Sequence, residues 1–201
     1  MSLFAFDDSV RSEGYLTIAG IDEVGRGCIA GPLVAACVSF KGDVFIEGIR
    51  DSKELFPQER EELFQKIIDN AFVGIGIVDV DLIDKLNIVE ATRVAMKKAY
   101  ESLGREVELL LIDAIQIPEL KINQKVIIKG DKKSAVIAAA SIVAKVTRDR
   151  IMREYHKVYP QYGFEKNKGY ATKQHLMALK KFGPCSIHRK SFSPIRELML
   201  F

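Results

Sequence analysis

The sequence predicts an α/β fold: a mixed β-sheet with helices packed on it, followed by a helical C-terminal part. Three observations carry this. Residues 15–21 and 32–40 are rich in Ile, Val, Leu and Ala and flank a glycine-rich turn, the pattern of two paired strands. Strand-like and helix-like segments then alternate. From Pro160 onward the recognisable patterns are helical.

Each later element has its own signature. In residues 57–70, Leu63, Phe64, Ile67 and Ile68 recur at helical spacing with Pro57 in the first turn. Residues 72–80 alternate as a strand does. A helix is predicted over 88–103, with Ala91, Val94, Ala95 and Ala99 as its apolar face and Gly104 as its stop. Residues 107–112 form a continuous apolar run, the mark of a strand buried on both faces. A short strand is predicted at 126–128. A long helix over 134–159 ends at Pro160, another over 172–182 closes at Gly183, and Ser193-Pro194 opens a last short one.

The 201 residues, 48% hydrophobic and 28% charged, are predicted to form one domain, 1–201, with 160–201 as a C-terminal helical extension. The apolar start, residues 1–6, runs into Asp7-Asp8, so no signal peptide is expected. The longest apolar stretch, 135–144, is interrupted by Ser141 and stopped by Lys145, too short for a membrane span. Cys28, Cys37 and Cys185 are odd in number and lack ligand spacing, arguing against a disulfide framework or a zinc site and for a cytoplasmic setting.

The net charge of +3 conceals an asymmetry. Residues 1–120 carry 12 Lys/Arg against 22 Asp/Glu, whereas 121–201 carry 18 against 5. A basic C-terminal third suits a nucleic-acid backbone, although a solvated charged surface accounts for it equally well.

Residues 18–27 read Ile-Ala-Gly-Ile-Asp-Glu-Val-Gly-Arg-Gly: a strand-like run ends in Asp22 and Glu23 and then a Gly25-Arg26-Gly27 turn. Paired carboxylates can hold a divalent cation, and a glycine-framed turn lets bare backbone approach a phosphodiester. Asp113 directly follows the apolar run 109–112, the end of a strand where α/β sheets bind ligands. Asp131 lies in Lys129-Gly130-Asp131-Lys132-Lys133 just before a helix, and alone reads first as a capping aspartate. Gathered at one place, such carboxylates repel by about 4 kcal/mol per pair at about 4 Å, which divalent ions relieve; oxygen-only ligands select Mg²⁺ or Mn²⁺ over zinc. In a regular strand Asp22 and Glu23 face opposite sides, which ranks Asp22 above Glu23 as a direct ligand.

These motifs, with Ala30-Gly31-Pro32, Asp51-Ser52-Lys53, residues 138–149, Tyr162-Gly163-Phe164, Lys168-Gly169-Tyr170, His175 and residues 188–192, closely resemble the ribonuclease HII (type 2 ribonuclease H) family. The match runs in order along nearly the whole chain. It departs at Cys28, where the family usually has proline, and at Ala114, where glycine is usual.

The resemblance implies a ribonuclease H-like fold with a mixed five-stranded sheet flanked by helices. It implies an endoribonuclease that cuts the RNA strand of RNA–DNA hybrids and nicks duplex DNA 5′ of an embedded ribonucleotide, leaving 3′-hydroxyl and 5′-phosphate ends. Asp22, Glu23, Asp113 and Asp131 become the catalytic and metal-binding set for two Mg²⁺ or Mn²⁺ ions. The backbone of Gly25, Arg26 and Gly27 would read the ribose 2′-hydroxyl, with the Arg26 side chain supporting the phosphate and the turn, and Tyr170 would stack on the sugar beyond the RNA–DNA junction. Ser52, Lys53 and Ser141 fall at family positions beside the substrate. Lys145 and Arg148, three residues apart on one helix face, are candidates to clamp a phosphate backbone. His175 and His188 read as structural or phosphate-facing. The final residues 197–201 resemble short peptides that dock on bacterial sliding clamps, through Leu198, Leu200 and Phe201, with packing on the parent domain as the alternative. A monomer with no membrane partner is expected.

Other classes fit less well. The related ribonuclease HIII carries an N-terminal substrate-binding domain, for which no room precedes residue 18. A silent hybrid-binding protein has no use for an acidic cluster, and a phosphotransferase would need a glycine-rich loop ending in Lys-Ser/Thr.

Overall fold

A computed structural model of the chain describes residues 2–198. Five strands form one mixed sheet: β1 (Ile18–Val24), β2 (Leu33–Phe40), β3 (Ala71–Val78), β4 (Leu109–Asp113) and β5 (Asn123–Ile127). Their order is β3-β2-β1-β4-β5, with β2 antiparallel to both β1 and β3, and β4 parallel to both β1 and β5. The predicted mixed five-stranded sheet is the one observed.

Helices cover both faces. On one lie α1 (Leu3–Ser12), α2 (Pro57–Asn70) and the long α5 (Ala135–Val158); on the other lie α3 (Val80–Leu86) and α4 (Ile88–Glu101). The pleat of β2 divides its side chains accordingly: Val34, Ala36, Val38 and Phe40 enter the core under α5, and Leu33, Ala35 and Cys37 the core under α4. The chain then folds back through α6 (Phe164–Asn167), α7 (Lys173–Phe182) and α8 (Ile195–Leu198). Phe164, Leu179, Ile187 and Ile195 pack there on Ile29, Ala30 and Met152.

Sequence and structure part at the charged and short elements. The predicted strand 15–21 continues through both carboxylates to Val24, because pairing with β2 persists to Val24↔Val34. Helix α1, with Ser2 accepting from the Ala5 N–H, and the seven-residue α3 were not predicted. Val80, predicted as the last residue of the strand, instead opens α3 behind the Asp79 cap. Strand β5 begins three residues before the predicted 126, in polar residues Asn123, Gln124 and Lys125 that suit a half-exposed edge. Among the described residues no helix is long and apolar enough to cross a membrane.

Candidate active site

The parallel pairing of β1 with β4 matches Ile21 to Ile112, so the next residues, Asp22 and Asp113, stand side by side at the strand ends. Both project toward α5, on the face that carries Gly20 and Leu111. Helix α5 crosses so close at Gly20 that a Cβ there would lie 2.3 Å from the Val136 carbonyl carbon. This approach brings the short 3₁₀ turn before α5, and Asp131 within it, over the strand ends. One carboxylate oxygen each from Asp22, Asp113 and Asp131 lie within 4.8 Å of one another.

Three carboxylates so placed oppose one another. Burial, with the charges of Glu23 and Asp113 nearby, raises the Asp22 carboxyl well above the ordinary carboxylate range. Asp113 is also shifted upward by burial, although the Gly130 N–H donates to its Oδ1 at 2.9 Å and partly offsets this. A cation already leans on the cluster: Lys53 Nζ lies 3.0 Å from Asp131 Oδ2 and 3.6 Å from Asp51 Oδ1. Burial disfavours the Lys53 charge, but Asp131, Asp51 and Asp22 outweigh it and hold the ammonium more firmly than in free lysine. An all-oxygen, mutually repelling set that draws in a stand-in cation fits a hard divalent ion.

Glu23 is not in this trio. The pleat sends it to the opposite face, where its Oε1 accepts from Arg26 Nη1 at 3.2 Å. Burial raises the Glu23 carboxyl while Arg26 pulls it back. Arg26 is therefore bound to Glu23 by its side chain, and its carbonyl accepts from Arg189 Nη1 at 3.1 Å.

Two buried arginines build the turn. Arg189 donates Nε and Nη2 to the Gly31 carbonyl, and burial lowers its pKa to about 10. The expectation that Arg148 clamps the substrate backbone is corrected by the structure. Its guanidinium is fully buried and donates to the carbonyls of Pro32 (2.8 Å), Lys168 (2.8 Å) and Ala30 (3.1 Å). It joins the 25–32 loop to the 168–170 segment and has no fork left for a phosphate. Its helix neighbour Lys145 pairs with Asp149 at 2.8 Å and borders a groove with Arg153, Lys166 and Lys168. Sequence reasoning passed over Arg189, which lies in the basic run His188-Arg189-Lys190, where nothing marks a buried arginine.

Ser52 and Ser141 are buried and share a hydrogen bond of 2.6 Å, tying the 51–54 turn to α5. Tyr170 remains 42% exposed, beside the turn, because the Gly169 carbonyl accepts from the N–H groups of Ile29 (2.9 Å) and Ala30 (3.3 Å). Within the turn, Gly25 has φ 99° and a Cβ on it would meet Arg148 Nε at 2.4 Å. Gly27 has neither a left-handed φ nor any atom within 4 Å of its added Cβ; it is the one glycine of the 14 for which both hold. Among the described residues, nothing beyond its chain neighbours requires Gly27 to lack a side chain. Leu198 ends α8, and Leu200 and Phe201 lie outside the described residues.

Known proteins are similar to this chain in sequence and fold. The family model described as ribonuclease HII matches residues 19–195. A ribonuclease HII of Caldanaerobacter subterraneus subsp. tengcongensis is 55% identical over 93% of this chain and 78% of its own. The solved ribonuclease H2 of Pyrococcus horikoshii superposes with a TM-score of 0.77 at 27% identity, covering 91% of this chain and 97% of the other. A ribonuclease HII solved as a complex with PCNA from Archaeoglobus fulgidus gives 0.74 at 28% identity, over 89% and 96%. With the matched segment containing Asp22, Glu23, Asp113 and Asp131, the chain belongs to the ribonuclease HII family, the type 2 ribonuclease H hydrolases that cut RNA within RNA–DNA hybrids.

Proposed function

We propose that this enzyme also nicks duplex DNA 5′ of a single embedded ribonucleotide, leaving 3′-hydroxyl and 5′-phosphate ends. The observation that carries the reading is the trio Asp22, Asp113 and Asp131, set beside a turn whose Gly27 is left bare toward open space. The trio would hold Mg²⁺ or Mn²⁺, two ions when substrate is bound. Such ions supply an activated water and charge stabilisation for the leaving 3′ oxygen.

The chain's own residues do the selecting. The Gly25–Gly27 backbone meets the ribose 2′-hydroxyl, the group that separates RNA from DNA at one nucleotide. Glu23 and Arg189 hold Arg26 from side chain and carbonyl, so the turn is set before substrate arrives. Lys53, mostly exposed and resting on Asp131, moves to a substrate phosphate once ions take up the carboxylates. Tyr170 packs against the sugar beyond the junction, and residues 160–201 serve as the substrate-holding extension.

The test is duplex DNA containing one ribonucleotide, incubated with Mg²⁺ or Mn²⁺. Expected is a nick 5′ of the ribonucleotide, lost in Asp22→Asn and Asp113→Asn; binding without cutting would leave a silent hybrid-binding protein. The A. fulgidus relative solved with PCNA supports a sliding clamp as partner, reached through Leu198, Leu200 and Phe201. Clamp capture that survives deletion of residues 197–201 removes that partner surface.

A further inference from the structure

Two histidines behind Tyr170 form a chain whose proton positions the geometry settles. His175, in α7, and His188, in the loop after it, are 0% and 1% exposed. Their Nε2 atoms are 3.0 Å apart. His188 Nδ1 accepts from the Cys185 N–H at 2.9 Å, closer than its 3.3 Å approach to the Cys185 carbonyl, which assigns that nitrogen as the acceptor and places the His188 proton on Nε2. His188 Nε2–H therefore donates to His175 Nε2. The His175 proton is left on Nδ1, which lies 2.8 Å from the Tyr170 carbonyl oxygen and donates to it. Every bond in the series has one donor and one acceptor only when both rings are neutral.

The surroundings fix the rings. Tyr162 and Phe164 stand 4.9 and 5.8 Å from His188 and 6.1 and 5.3 Å from His175, centroid to centroid. Tyr162 is tied in turn, its hydroxyl donating to the Gly183 carbonyl at 2.7 Å. Burial lowers both histidines, His188 to about 4, which agrees with the neutral pair. Nothing in the cleavage chemistry uses either ring, yet the series ends on the main chain of the residue placed at the junction.

We propose that His175 and His188 are positioning residues, a neutral hydrogen-bond relay that fixes the Tyr170 main chain against the 25–31 loop and so sets the preference for a lone ribonucleotide over continuous hybrid. The inference rests on the reading of Tyr170 given above. Bridge pairing of His188 with Ala30 places one end of the relay on the same loop that the Gly169 carbonyl grips. The relay and the tyrosine therefore share one frame.

The experiment compares kcat/KM on a single-ribonucleotide duplex with kcat/KM on continuous hybrid. His175→Leu removes the donor to Tyr170 and is expected to lower the single-to-hybrid ratio about fivefold to tenfold, the worth of one hydrogen bond. His175→Asn can still donate to the Tyr170 carbonyl and is expected to restore most of the ratio. An unchanged ratio in a folded His175→Leu, or an Asn variant as low as Leu, overturns the relay. Tyr170→Ala, run in parallel, separates the two claims: if it too leaves the ratio unchanged, the tyrosine's role falls and the relay's with it. Should His175→Leu not fold, ¹H–¹⁵N spectra of the wild-type imidazoles decide. They are expected to show His188 protonated on Nε2 and His175 on Nδ1, and the opposite tautomers overturn the relay.

Discussion

Replacing Gly27 by alanine separates what the fold needs from what the substrate needs. Among the described residues, and apart from its two chain neighbours, the added methyl meets no atom within 4 Å, and the backbone there is not left-handed. The fold should accept it and gain about 0.4–1 kcal/mol, because alanine has fewer unfolded conformations to lose. The substrate should not. A methyl stands about 1.5 Å from the Cα, and displacing the reacting ribose by about 1 Å costs roughly 100-fold in rate. Gly25→Ala is the contrasting control: its Cβ would lie 2.4 Å from Arg148 Nε at φ 99°, so that variant should lose stability first. Denaturant melts and steady-state cleavage of a single-ribonucleotide duplex read the two effects. Gly27→Ala that cuts at the wild-type kcat/KM would show that no ribose approaches this turn; a variant that unfolds would refute the open-space argument.

Two more expectations concern residues at and beside the carboxylate trio. Asp22→Asn should melt higher than wild type in metal-free buffer, by about 2 kcal/mol, since it removes part of the like-charge energy of the trio, and it should gain less from added Mn²⁺; equal melting curves would contradict the repulsion. Ala114, held at φ 61° directly after Asp113, should give about 1 kcal/mol of added stability as Ala114→Gly, and a lower denaturant midpoint would contradict the strain.

Away from the carboxylate cluster, the pH dependence has two opposing parts. Burial, then His175, lowers His188 from 6.5 to about 4, so the unfolded chain takes up a proton that the fold refuses and stability is lost as pH falls across that window, by about 3 kcal/mol. Burial raises Asp7 from 3.8 to about 6, so the fold keeps a proton that the unfolded chain releases and stability is lost as pH rises between those values, again by about 3 kcal/mol. The two offset one another. Asp7→Asn should uncover the histidine contribution as a steeper acid loss in urea melts between pH 6 and 4, and a slope equal to wild type would contradict the assignment.

The legible parts of the sequence were those where one periodicity acts alone. Helix α2 matches its predicted bounds because Pro57 and the Leu63–Ile68 spacing agree, and β4 was marked by an apolar run buried on both faces. Asp113 could be placed at a strand end for the same reason. Tertiary contacts decided the rest. Asp22 and Glu23 look like a strand terminus, yet the ladder to β2 carries them as strand. Arg148 looks like a backbone clamp because helical spacing gives its direction but not its burial, and only the fold shows three carbonyls waiting for it. Helix α1 is only ten residues, an apolar start that runs into Asp7-Asp8, and its buried Asp7 accepts from the Val136 N–H at 3.0 Å, a contact 129 residues away that no local pattern reveals.

Anomalous scattering from crystals soaked in Mn²⁺ tests the central claim most directly. Expected is a peak within ligand distance of carboxylate oxygens from Asp22, Asp113 and Asp131, absent in Asp113→Asn crystals. Peaks confined to other surfaces, in crystals of enzyme that cuts its substrate in solution with Mn²⁺, would contradict the claim that these three side chains form the metal centre.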